Sequence, residues 1–128
     1  MCQTSRRKRF KKTKKDLTVY KVMIVTDNIY YNGIYSKFQY FKYELNIEYN
    51  ETLEEIKKYI NSNSFFKYYI NVGFHSYVNL EDAKSYCSGY ENRIVECTIP
   101  KGSYVNYGRF CDRKSVVSNK IIIKKVLN

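Results

Sequence analysis

"LTVYKVMIV", residues 17–25, alternates side chains across two faces: Val19, Lys21, Met23 and Val25 on one, Tyr20, Val22 and Ile24 on the other. A period of two is the mark of a strand. Both faces are largely apolar, so the strand is expected to be covered on each side. Everything before it differs in kind. Residues 1–15, "MCQTSRRKRFKKTKK", hold eight cations and no acid. The stretch predicts a break at residue 16, with a flexible basic tail over 1–16 and a single domain over 17–128.

Outward from that strand the signals are mixed. "TDNIYYNG" (26–33) is rich in turn formers, and "KFQYFKYEL" (37–45) alternates roughly as a strand. "ETLEEIKKYI" (51–60) has Leu53, Ile56 and Ile60 on one helical stripe, acids early and lysines late, with Asn50 as the expected cap. "NSNS" (61–64) breaks that helix. "FFKYYINVGF" (65–74) predicts a strand running into a glycine. Asn79 is placed to cap a second helix over 80–87, which Gly89 ends. "RIVECTI" (93–99) predicts a strand whose Val95, Cys97 and Ile99 point into the core. "SYVNYG" (103–108) reads as an edge strand, and "SVVSNKIIIKKVL" (115–127) as a closing, β-branched one. The expected class is α+β: one mixed, mostly antiparallel sheet with two short helices.

Composition limits the function. The 128 residues carry a net charge of +11, of which the first 15 residues supply +8; the rest hold 15 basic and 12 acidic groups. Any attraction for nucleic acid therefore rests on Arg6, Arg7, Lys8, Arg9, Lys11, Lys12, Lys14 and Lys15, with Phe10 between them able to stack on a base. Fifteen tyrosines and seven phenylalanines, with no tryptophan, suit strand faces and wet interfaces. Cys2, Cys87, Cys97 and Cys111 are scattered, no CxxC occurs, and His75 is the only histidine. A zinc site needs about four converging ligands, so no metal is expected. No apolar run reaches the ~18 residues of a membrane span, and no secretory leader is evident. The expected compartment is intracellular, in a host cytoplasm.

Three pieces carry a resemblance: the "YKV" opening, the "GFHSYVNLEDAKSYC" turn and helix (73–87), and "IPKGSY" followed by "SNKIII". The pattern resembles small proteins of bacteriophages and related mobile elements, a family without an established activity. It is also similar to the spine of the ADP-ribosyltransferase-like fold, which would imply a split sheet. That second resemblance implies an NAD site with a first-strand His or Arg, a stacking aromatic and a late-strand Glu. Here the first position falls at Tyr20 or Lys21, the aromatic at His75, and the acid near Asn119 and Lys120. A lysine there puts positive charge beside a developing cation, the wrong sign for the reaction.

Two functions follow. The leading one is a non-enzymatic accessory protein of phage or virus type, binding a host protein or other macromolecular partner. Its tail would contact nucleic acid or a ribonucleoprotein, with no cofactor and no membrane. The alternative is an NAD- or nucleotide-dependent enzyme, or a nucleotide-signal binder, with a pocket of Tyr20, His75 and Tyr77 and the catalytic candidates His75 and Glu96. His75 is expected at the end of a strand, partly buried and hydrogen-bonded to backbone, with Phe74 and Tyr77 on opposite sides. Glu96 sits either on a solvated strand face or toward that pocket.

Overall fold

The computed structural model describes residues 3–27, 32–36, 41–62, 67–89 and 91–127. Of these, 58% are in strands and 12% in helices, so the chain is mostly β. One antiparallel sheet and two short helices are present, as expected; a balanced α+β composition is not. Many of the segments that read as turns or loops are short strands.

In chain order the elements are β1 (Gln3–Ser5), β2 (Lys11–Lys12), β3 (Leu17–Asp27), β4 (Asn32–Ser36), β5 (Lys42–Tyr43) and β6 (Glu48–Asn50). Then come α1 (Leu53–Lys58), β7 (Ile60–Ser62), β8 (Tyr68–Ile70), β9 (Phe74–Tyr77) and α2 (Leu80–Tyr86). The chain closes with β10 (Asn92–Ile99), β11 (Tyr104–Phe110), β12 (Arg113–Ser118) and β13 (Lys120–Leu127). The sheet order is β6-β13-β10-β3-β9-β12-β11-β1-β8-β7, with β2 on β11, β4 on β3 and β5 on β4.

The alternation of residues 17–25 has the consequence its sequence predicts. β3 pairs along eight residues with β10, from Leu17↔Ile99 to Ile24↔Asn92. Val19 and Met23 join Val95, Cys97, Ile99, Val116, Ile121 and Ile123 in the main core. On the other face Tyr20 and Val22 pack with Tyr77, Ala83 and Ile94 beside α2. Burial of each such aliphatic side chain contributes about 1.5–3 kcal/mol.

A third cluster, Phe10, Ile56, Ile70 and Val117, buries the apolar stripe of α1. Thr52, not Asn50, caps that helix: its Oγ1 accepts from the Glu55 amide at 3.1 Å. Asn50 is instead in β6, paired with Lys120. Asn79 does stand at the start of α2 in extended conformation, but its amide nitrogen donates to Asp82 Oδ2 at 3.3 Å, and its side chain makes no bond to the helix backbone.

Other expectations shift. Residues 68–77 form two strands, parted at Gly73, whose φ is +107°. A Cβ there would lie 2.7 Å from Val117 Cγ1, so only glycine lets β9 pass so close to β12. The closing run is also two strands, parted at Asn119. Asn119 Oδ1 accepts from the Tyr104 amide at 2.8 Å, and its carbonyl accepts from Glu51 at 2.8 Å. The segment read as an edge strand is an inner one, with β12 on one side and β1 and β2 on the other. Residues 37–40, part of an expected strand, lie outside the described residues.

The basic segment is the largest departure. Residues 3–5 and 11–12 are part of the sheet: β1 lies between β8 and β11, and β2 pairs with Tyr104 and Val105. Gln3 is wholly buried and Phe10 is 7% exposed. Apolar burial of Phe10 outweighs the solvation of the lysines and arginines around it, because those point outward and lose little water. Phe10 is thus a core residue, not a ring offered to a base.

Candidate anion-binding groove

The site begins with two residues of β11. Asn106 and Gly108 share one face of the strand, Tyr107 and Arg109 the other. β1 crosses closely at Gly108: a Cβ there would run into the Thr4 carbonyl and come within 2.8 Å of Gln3 Cγ. The Gln3 amide donates to the Asn106 carbonyl at 2.9 Å and to Asn106 Oδ1 at 3.0 Å. Gln3 Oε1 accepts from Ser115 Oγ at 2.7 Å. Asn106 then donates its amide protons to the Arg7 carbonyl at 2.7 Å and the Arg9 carbonyl at 3.1 Å. Both donors of that side chain are used, which fixes the backbone of residues 7–9 over the sheet. With carbonyls inward and Phe10 anchored, the basic side chains of this loop are exposed.

The result is a groove of about 950 Å³ whose lining includes Arg6, Arg7, Arg9 and Lys11 from the N-terminal segment, and Lys67, Arg109 and Lys114 from elsewhere. Asp112 is the one acid among its lining residues. Cys111 and Asp112 have φ of +49° and +63°, the left-handed pair that a tight two-residue hairpin needs. That turn sets Arg109 directly opposite Lys114 across β11 and β12. Like charges in such a pair repel. Arg109 relieves part of this by donating to the Asp112 carbonyl at 3.1 Å. An anion in the groove would relieve the rest.

Four of the eight cations singled out from the sequence thus line the groove. Lys8, Lys12, Lys14 and Lys15 are exposed and do not line it. Lys67, Arg109 and Lys114 were not expected in the site. The signal for the last two was "RFCDRK" (109–114), where strand alternation around a hairpin turn brings Arg109 and Lys114 together.

The residues expected to form an enzyme pocket have a different setting. Tyr77 pairs with Tyr20, and Tyr20 with Glu96, in one row across β9, β3 and β10. Tyr77 is buried, its ring stacked on Tyr86 at 5.8 Å, and burial pushes its hydroxyl up to about 12. Glu96 is part-exposed and pairs with Lys125 at 3.9 Å. His75 is 8% exposed, with Nε2 2.9 Å from the Ile70 carbonyl and Nδ1 3.1 Å from the Gly73 carbonyl. Phe74 packs in the main core and Tyr77 beside α2, on opposite faces as expected.

Lys21 reaches across from β3, and its Nζ donates to the His75 carbonyl. Its side chain is part-buried along its length, while the ammonium end is enclosed, and that burial lowers its pKa. β3 and β9 share a single paired position, Tyr20↔Tyr77, so this bond supplements a short ladder. Lys21 and His75 act as braces between strands.

Burial lowers the His75 pKa to about 4, outweighing the two carbonyls, which favour the cation. A neutral imidazole has one N–H, so it donates to one carbonyl at a time. The unfolded chain takes up this proton near pH 6.5 and the folded chain near 4, so stability is full above 6.5 and falls as pH drops toward 4. The expected slope is about 1.4 kcal/mol per pH unit inside that window. His75→Gln should fold, since a glutamine amide can donate to both carbonyls, and should lose this slope. Urea melts at several pH values check it; an unchanged slope in the variant would assign the effect to other groups.

No protein-family model, curated protein or solved structure matches the chain. Among the described residues no helix is long and apolar enough to cross a membrane.

Proposed function

We propose that the chain is a non-enzymatic binding protein whose basic groove holds nucleic acid, alone or within a ribonucleoprotein, inside a cell. One observation carries this reading: seven cations and a single acid converge on one groove, held by a buried polar network. A backbone already held over the sheet spends less ordering entropy when phosphates arrive, so binding is stronger than to a mobile tail of equal charge. The pattern likeness to small phage proteins fits an accessory role of this kind. The ADP-ribosyltransferase-like alternative has less support, because both ring nitrogens of His75 face backbone carbonyls and Glu96 is ion-paired.

Retention of a labelled oligonucleotide across a salt series tests the proposal. Seven phosphate contacts predict a slope of log K against log salt of about −5 for a single strand. The triple change Arg7→Gln, Arg9→Gln, Lys114→Gln should reduce that slope by about 2 and lower low-salt affinity roughly tenfold to a hundredfold. Lys14→Gln with Lys15→Gln, outside the groove, should change little. Equal losses in the two variants would mean that net charge, not the groove, attracts the polymer.

A further inference from the structure

We infer that the groove takes its nucleic acid as a single strand, with Tyr107 as the platform on which one base stacks; this rests on the nucleic-acid reading above. Tyr107 lines the groove and is 56% exposed, more than Phe41, Leu45, Ile47 or Tyr59, the other large exposed apolar side chains among the described residues. Leaving that ring in water costs free energy unless something covers it.

Its surroundings say what would cover it. Of the other exposed rings, Tyr59 has the Lys58 ammonium 5.6 Å from its centroid, and Phe41 has ring partners in Tyr43 and Tyr49. Tyr107 has none among the described residues. Two residues on, Arg109 shares its face of β11, with Lys114 opposite. The Tyr107 backbone is tied to the cation loop by Ser5, whose hydroxyl lies 3.2 Å from the Tyr107 carbonyl and 2.9 Å from the Arg7 carbonyl. The backbones that carry the ring and the loop arginines are thereby tied together.

A ring flanked by cations matches the alternation of base and phosphate along one strand. A duplex hides its base faces in the stack, so it can use the cations but not the ring. Stacking depends little on base identity, so the groove should tolerate many sequences.

The test compares an oligothymidylate with its duplex of equal length. Wild type should bind the single strand at least tenfold more tightly. Tyr107→Ala should lose roughly tenfold to a hundredfold on the single strand, with the salt slope and duplex affinity unchanged. Tyr107→Phe should keep wild-type affinity. If Tyr107→Ala binds the single strand like wild type, or the duplex binds as well as the strand, the single-strand inference is overturned while the groove stands. If wild type retains neither polymer at low salt, the groove reading fails and takes this inference with it.

Discussion

Gly108→Val is expected to cost about 3 kcal/mol and to lower the melting temperature by roughly 10 °C. The added Cβ meets the Thr4 carbonyl, a backbone group that cannot swing aside, as well as Gln3. The strain has one ready outlet, the undocking of β1. That would expose Gln3 and leave the Ser115 hydroxyl without its acceptor. Trypsin should then cut after Arg6, Arg7, Lys8 or Arg9 in the variant under conditions where wild type resists. A variant that melts with wild type and resists trypsin would show that β1 does not pass over Gly108 in solution.

Asn106→Leu keeps the side chain's approximate volume and removes its polarity. The Arg7 and Arg9 carbonyls each lose a donor, and the Gln3 amide loses one acceptor. Each abandoned buried group costs about 1–3 kcal/mol, less where water can reach it, so a total of roughly 2–4 kcal/mol is expected. Oligonucleotide affinity should fall along with stability, since the loop that aims the cations is freed. Asn106→Asp separates geometry from charge. An ionised carboxylate faces two carbonyls there and has no proton to give, so this variant should be the less stable of the two at pH 7. Its stability relative to wild type should recover as pH drops into the carboxyl range and the group gains a proton. If Asn106→Leu melts like wild type, the Asn106 bonds to the loop are dispensable.

The strong elements were legible because their signals are local. β3, β10 and both helices follow from alternation or from a 3.6-residue stripe within a few residues. The face shared by Val95, Cys97 and Ile99 was likewise readable. What escaped depends on partners remote in the chain. Phe10 is a lone aromatic among cations and has no period to show that it enters a core with Ile56, Ile70 and Val117. The cap of α1 was misassigned by a small shift, because Asn50 and Thr52 are both good capping types and only the pairing of β6 with β13 decides between them. Asn106 and Gly108 fell within an expected edge strand, with no signal of their own. Their roles come from β1, and nothing in "CQTS" announces a strand. The groove was half visible, through its charges, while the framework that fixes those charges was not.

The placement of β1 also ties the groove to the order in which the chain can fold. Gln3 meets Asn106 across 103 positions and Thr4 meets Arg109 across 105. Closing so long a loop is entropically costly and contributes nothing until the β11–β12 hairpin exists to receive it. A growing or partly refolded chain therefore carries the arginines of the loop without the framework that arranges them. Binding competence should arrive late and together with the last cooperative folding step, not gradually as charge accumulates. In a refolding time course, recovery of oligonucleotide retention at low salt should lag the early gain of strand signal and coincide with protection of the amides of Gln3–Ser5.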